Sequence, residues 1–377
     1  MIPWAIVIVG AILFVAYANG ANDTFKGVAT LFGSGTTDYR NALWWATATT
    51  FLGSVTALIL SAKLISVFQG KGLFPAALAT SEPFVASVIL GAAITVFLAS
   101  KLGIPISTTH SLTGALSGGG LSAVGLELGF GHLGKNFFLP LLASPLVSIG
   151  LVVMAYPLLK FALARLGVTR QSCVCVGDEQ WVPVAVSGHG IVTASRAARL
   201  RIIIDQETAC AERYQGTPFG VGAHTLLDAC HYLSAGAVSF ARGLNDTPKI
   251  IALGLSLAPV GLSWSIVVVG MVMALGGLLE ARKVAETVSQ RITAIDHGEG
   301  LAANLVTSFL VIVASKWGLP VSTTHVSCGA LFGIGALNGQ ARWNVIRNVV
   351  LAWILTLPLA GICAAGIFAV LTRVVWN

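Results

Sequence analysis

The sequence predicts an all-α polytopic membrane protein made of two homologous halves, and three observations predict it. Hydrophobic residues make up 55% of the 377-residue chain and charged residues only 10%, with a mean hydropathy of +0.85. Soluble domains carry about 25% charged residues. Several uncharged runs reach the ~20 residues that a spanning helix needs. The chain also repeats itself. Gly103-Ile104-Pro105-Ile106-Ser107-Thr108-Thr109-His110 recurs 215 residues later as Gly318-Leu319-Pro320-Val321-Ser322-Thr323-Thr324-His325. Upstream of each copy, Gly20-Ala21-Asn22-Asp23-Thr24-Phe25-Lys26 recurs as Gly243-Leu244-Asn245-Asp246-Thr247-Pro248-Lys249. Each half thus carries one Asn-Asp motif and one Ser-Thr-Thr-His motif, in the same order. About ten to twelve membrane segments are expected, arranged as inverted repeats with discontinuous helices.

In chain order, Ile2–Ala18 is the first apolar run and leads directly into the first Asn-Asp motif. It is expected to be a retained helix, because a cleaved leader would remove part of the duplicated unit. Ala42–Ala62 and Phe84–Ser100 are uncharged and long enough to span, and Phe137–Leu159 closes the first half. The second half resumes with Val221–Ala241, Ile250–Leu279, Leu301–Ser315, the second Ser-Thr-Thr-His run and Val349–Leu371. Between the halves the composition turns polar. The division is therefore a first membrane repeat over residues 1–160, a central polar loop on the cytoplasmic side over 161–220, and a second membrane repeat over 221–377. Within the loop, Trp181–Val186 alternates like a strand, and Ser195–Asp205 suits a short basic helix.

The net charge of +7 does not point to nucleic acid. Basic residues in short loops mark the cytoplasmic side of a membrane protein. The six cysteines have no framework spacing and are expected as free thiols.

The duplicated polar residues carry the chemistry. An aspartate at the centre of a membrane helix costs about 2.5–3.5 kcal/mol, so it must be paired, protonated, hydrated or bound to a cation. Asn22 and Asn245 add a neutral carbonyl oxygen beside Asp23 and Asp246, a set that suits a hard cation such as Na⁺. Gly20 and Gly243 permit a helix break that would free backbone carbonyls to join them. Plain helix capping is the competing account for a single copy, but two copies at matching places favour a site.

Pro105 and Pro320 disfavour helix in the residue before them and lack an N–H, so each is expected to precede a new helix. Ser107, Thr108, Thr109, Ser322, Thr323 and Thr324 then fall in first helical turns. Free N–H groups and the positive end of the dipole make an anion site there. His110 and His325 either donate to that anion or are simply buried. His224, Asp228 and His231 share one helix face, but have no copy in the first half.

These motifs resemble the inorganic phosphate transporter (PiT) family, which carries Gly-x-Asn-Asp followed by Pro-(Ile/Val)-Ser-Thr-Thr-His in both halves. The resemblance implies a secondary transporter with inverted repeats that moves inorganic phosphate with Na⁺ or H⁺, and needs no other cofactor. It implies that Asn22, Asp23, Asn245 and Asp246 form the cation and phosphate site, holding Na⁺ if it is used. Ser107, Thr108, Thr109, Ser322, Thr323 and Thr324 would contact phosphate. The chain departs from the family at Lys26, where Asn-Asp-Thr-Phe-Lys replaces Asn-Asp-x-Ala-Asn, and at Arg242, where a histidine is common. Lys26 and its counterpart Lys249 are secondary candidates, since a fixed cation near Asp23 can stand in for bound Na⁺.

A protonated oxyanion can donate to Asp23 and Asp246, which favours phosphate over sulfate. A sulfate permease of the same fold is the first alternative, followed by an anion channel or a membrane-embedded hydrolase. A hydrolase has no need of two symmetric copies, and no Gly-x-Ser-x-Gly elbow occurs. The expected partners are inorganic phosphate, a coupling cation and the lipid bilayer of the cell (plasma or inner) membrane. Nucleic acid is not among them, and a homodimer is allowed.

Overall fold

The computed structural model describes residues 4–70, 72–165, 172–178, 200–206, 219–255, 257 and 261–376. It forms two compact units, Met1–Ala155 with His231–Asn377, and Tyr156–Cys230.

The larger unit is built of long helices. In the first half these are α1 (Trp4–Asp23), α2 (Tyr39–Leu60), α3 (Glu82–Leu102), α4 (Thr108–Val124) and α5 (Leu139–Arg165). The second half supplies α6 (Ala223–Ala252), α7 (Leu262–Glu280), α8 (His297–Trp317), α9 (Thr323–Asn338) and α10 (Trp343–Trp376). By length and composition, α1, α2, α3, α5, α7, α8 and α10 are able to cross a membrane. The remaining expected segments correspond to α4 and α9, of 17 and 16 residues, and to α6, which carries Arg242, Asp246 and Lys249. Large apolar side chains face outward, among them Ile6, Leu139, Met154, Phe309 and Ile362. Polar and charged side chains of α1, α4, α6 and α9 are buried instead. A surface this apolar over a polar interior suits lipid as the surrounding solvent.

An apolar core surrounds the charged centre. Val15 of α1, Ile89 of α3, Leu112 of α4, Met273 of α7 and Ala364 of α10 all belong to it. Packing is reciprocal between the halves. A Cβ on Gly20 of α1 would lie 2.0 Å from the Met273 carbonyl of α7, and one on Gly243 of α6 would lie 2.0 Å from the Thr50 carbonyl of α2. The first helix of each half therefore lies directly on the second helix of the other.

This corrects one expectation. Gly20 and Gly243 do not break their helices: α1 runs unbroken to Asp23 and α6 to Ala252. Their missing side chains are needed for backbone contact with the neighbouring helix. The discontinuities lie elsewhere. After Asp23 the chain tightens into a 3₁₀ turn, Thr24–Gly27, and a short helix, Ala29–Gly33. Helix α3 ends on Gly103 (φ 69°) and α8 on Gly318 (φ 76°), both left-handed, and the extended prolyl segments lead into α4 and α9. Breaks at Pro105 and Pro320 are therefore present as expected.

In the smaller unit, strands β1 (Ser172–Asp178), β2 (Leu200–Gln206) and β3 (Phe219–Gly222) form an antiparallel sheet in the order β2-β1-β3. The helix expected over Ser195–Asp205 is thus corrected over its described part. Ile202, Ile203 and Ile204 pair with Val176, Cys175 and Val174, and three adjacent β-branched residues favour a strand over a helix. The strand expected at Trp181–Val186 lies outside the described residues.

Replacing Gly243 with valine should force α6 and α2 apart and cost about 1–3 kcal/mol or more. Gly150 of α5 has no atom within 4 Å of a built Cβ, so Gly150→Ala should leave stability unchanged or slightly raised. Thermal unfolding of the purified variants in detergent measures both.

Candidate functional site

The sequence motifs of both halves meet in one buried network. At the C-terminus of α1, Asp23 accepts hydrogen bonds from the Lys26 ammonium, from Asn19 Nδ2 (2.7 Å), from Thr108 Oγ1 (2.9 Å) and from Thr324 Oγ1 (3.2 Å). Thr108 comes from its own half and Thr324 from the other. Asp246 of α6 has a matching but looser environment. Its carboxylate lies 3.6 Å from Lys249 Nζ and 3.9 Å from Arg242 Nε, accepts from Asn245 Nδ2 (3.0 Å) and Asn19 Nδ2 (3.3 Å), and lies 3.5 Å from Thr323 Oγ1.

The asparagines tie these acids to the helix breaks. Asn22 donates to Ser100 Oγ and the Ile104 carbonyl, both at 3.0 Å, and accepts from the Ile106 amide at 3.1 Å. Asn245 donates to the Val321 carbonyl (3.2 Å) and accepts from Ser315 Oγ (3.1 Å). Ser100 and Ser315 are equivalent positions in the two repeats.

Ser107 and Ser322 are N-caps. Each is in the extended region and accepts from the backbone N–H three residues on, that of His110 or His325, at 3.1 Å. That leaves each serine hydroxyl its own proton to donate. Thr109 Oγ1 reaches the Val321 carbonyl (3.4 Å) and Thr324 Oγ1 reaches the Ile106 carbonyl (3.0 Å). The N-termini of α4 and α9 therefore meet across the boundary between halves, adding two positive helix ends to one place. His110 and His325 lie just behind, ring to ring at 4.2 Å, with His325 also against Trp353 at 4.0 Å. Trp353 donates to the Pro105 carbonyl at 3.1 Å, which ties α10 to the first prolyl break.

Two members of the network go beyond the residues that sequence reasoning selected. Asn19 stands one turn before Asp23, and Arg242 one turn before Asp246, so they are equivalent positions of the repeat. They bond to each other: Arg242 Nη2 donates to Asn19 Oδ1 at 2.6 Å. Arg242 also reaches Thr24 (3.2 Å) and Thr50 (3.3 Å). The usable signal was the i,i+4 spacing to each aspartate, which places both residues on the same helix face as the acids.

The charges do not cancel. By formal charge, Asp23 and Asp246 count two negative and Lys26, Lys249 and Arg242 three positive; every one of these five side chains is at most 5% exposed. The formal charge of the buried centre is therefore +1, which suits an anion. No group of three His, Cys, Asp or Glu residues that could hold a metal occurs among the described residues. His231 Nδ1 lies 3.2 Å from Thr36 Oγ1, away from the network, and the side chain of His224 lies outside the described residues.

Among the described residues, seven helices long and apolar enough to cross a membrane, with ionic groups of both halves gathered at the centre, define a multi-pass integral membrane protein. Residues 19–364 match the model of the Phosphate transporter family, and the chain belongs to that family. A protein from Pyrococcus abyssi named as a phosphate permease is 26% identical, with 98% of each chain covered. A protein from Rhizobium meliloti named as a low-affinity inorganic phosphate transporter is 25% identical, with 96% of this chain and 95% of the relative covered. Among solved structures, one described as the sodium-dependent phosphate transporter superposes with a TM-score of 0.73 at 20% identity, over 98% of this chain and 99% of the other. That likeness establishes the shared fold.

Removing one partner of a buried ion pair costs about 3–5 kcal/mol, because the other charge is left uncompensated. Asp23→Asn and Lys26→Met should each lose stability on that scale, and the double variant should recover most of it. A double-mutant cycle of unfolding in mixed micelles measures the coupling, and additive losses would contradict the pairing.

Proposed function

We propose that the chain is a secondary transporter of inorganic phosphate in the cell membrane, coupled to Na⁺ or H⁺ and working by alternating access between two inverted repeats. The observation that carries this reading is the convergence of all four motif copies on one enclosed site. Asp23 takes a hydroxyl from each half, through Thr108 at 2.9 Å and Thr324 at 3.2 Å. A site assembled from two halves and closed to solvent is suited to opening by movement of one half against the other.

In this reading the hydroxyls of Ser107, Thr108, Thr109, Ser322, Thr323 and Thr324 contact the phosphate oxygens, with Asn22 and Asn245 beside them. The helix ends and the net positive charge offset the charge of the anion. Asp23 and Asp246 accept the proton that phosphate carries at neutral pH, and they link binding to the coupling ion. Sulfate has no proton to offer these carboxylates. The segment 161–220 is assigned to the cytoplasmic side, and the reciprocal contacts of Gly20 and Gly243 support a two-fold relation between the repeats.

The test is uptake of labelled phosphate into proteoliposomes under an inward Na⁺ or proton gradient, with excess sulfate as competitor. Uptake that is driven by a gradient and unaffected by sulfate is expected. Accumulation of sulfate in place of phosphate would overturn the substrate assignment.

A further inference from the structure

The two buried lysines narrow the choice of coupling ion. We propose that Lys26 and Lys249 are built-in counter-cations occupying the two oxygen shells where Na⁺ would otherwise bind, so that this chain moves phosphate without Na⁺. The inference rests on the phosphate-transport reading above.

Lys26 Nζ shares its three N–H groups among four oxygens within hydrogen-bonding distance: Asn22 Oδ1 (2.7 Å), the Ile106 carbonyl (2.6 Å), Thr324 Oγ1 (2.8 Å) and Asp23 Oδ1. A carboxylate, a side-chain amide oxygen, a hydroxyl and a backbone carbonyl exposed at a helix break are the ligands a hard cation takes. Lys249 Nζ repeats the arrangement. It donates to the Val321 carbonyl (2.7 Å) and Thr109 Oγ1 (2.8 Å) and lies 3.6 Å from Asp246 Oδ1. Three positions of the two shells agree, while Asn22 Oδ1 has no counterpart because Asn245 Oδ1 accepts from Ser315 Oγ (3.1 Å). Each contains the aspartate three residues before the lysine, the carbonyl just before the serine of its own half, and the third hydroxyl of the other half's turn. The same solution has therefore been built twice.

Charge leads to the same conclusion. The five ionic groups of the central network, Asp23, Asp246, Lys26, Lys249 and Arg242, have formal charges that sum to +1. One monoanionic phosphate brings the centre to zero with no further cation. Two added Na⁺ would leave it at +2, in a place where uncompensated charge is costly. Asn22 Oδ1 and Asp23 Oδ1, the natural ligands of a sodium ion here, already face an ammonium. The residues present do not fit Na⁺.

The first measurement is exchange of labelled for unlabelled phosphate across proteoliposomes, with Na⁺ replaced by choline on both sides. The second is the unfolding midpoint of the purified protein with and without Na⁺. The wild type should exchange at the same rate in both media, and its midpoint should not respond to Na⁺. Lys26→Ala opens the shell around Asp23, so Na⁺ should raise its midpoint and speed its exchange by about tenfold, within the usual range of ligand coupling. Lys26→Met fills the same space without charge and should gain no response. Lys249→Ala serves in place of Lys26→Ala if that variant does not fold. A fall of about tenfold in wild-type exchange when Na⁺ is removed would overturn the proposal, as would a wild-type midpoint raised by Na⁺. If no phosphate exchanges in any medium, the transport reading fails, and the midpoints alone decide the role of the lysines.

Discussion

Everything in the membrane unit is arranged around the pairing of Asp23 with Lys26 and of Asp246 with Lys249. Ion pairs removed from water return little net stability, because desolvation offsets their attraction. Burying five charges in an apolar bundle therefore makes sense only with good geometry and many added hydrogen bonds. The fold supplies both. Two prolyl breaks expose the Ile106 and Val321 carbonyls to the lysines. Two short helices bring their N-terminal hydroxyls to the carboxylates. Gly20 and Gly243 let α1 and α6 lie against α7 and α2 closely enough to close the network.

The halves are equivalent in sequence pattern but not in charge. Asn19 and Arg242 occupy matching positions, and their direct bond at 2.6 Å joins the two repeats at the place where the charge of their central networks differs. That substitution sets the net charge of the centre at +1. In the proposed reading an anion neutralises the site, and the cations beside it are covalent parts of the chain.

Much of this was legible in the sequence. The membrane class follows from composition, the repeat from recurrence of the Asn-Asp and Ser-Thr-Thr-His motifs, and the helix breaks from Pro105 and Pro320. Each rests on local chemistry that tertiary packing did not override. Membership of the Phosphate transporter family agrees with the motif resemblance. Other features depended on contacts between segments far apart in the chain. Gly20 suggested a break because glycine is flexible, yet its use is a backbone contact with Met273, more than 250 residues away. Leu200–Gln206 followed its β-branched residues into a strand, paired with Ser172–Asp178. Asn19 was visible only as a member of a helix face and Arg242 only as a departure from the family pattern, and their bond depends on how α1 and α6 lie together.

The central claim is that the two halves build one anion site between them, not two separate sites. Equilibrium binding of labelled phosphate to the purified protein, compared with Thr109→Val, tests it most directly. The account predicts one phosphate per chain and loss of nearly all binding when this single hydroxyl of one half is removed. Two phosphates per chain, with half of the binding surviving in the variant, would contradict it.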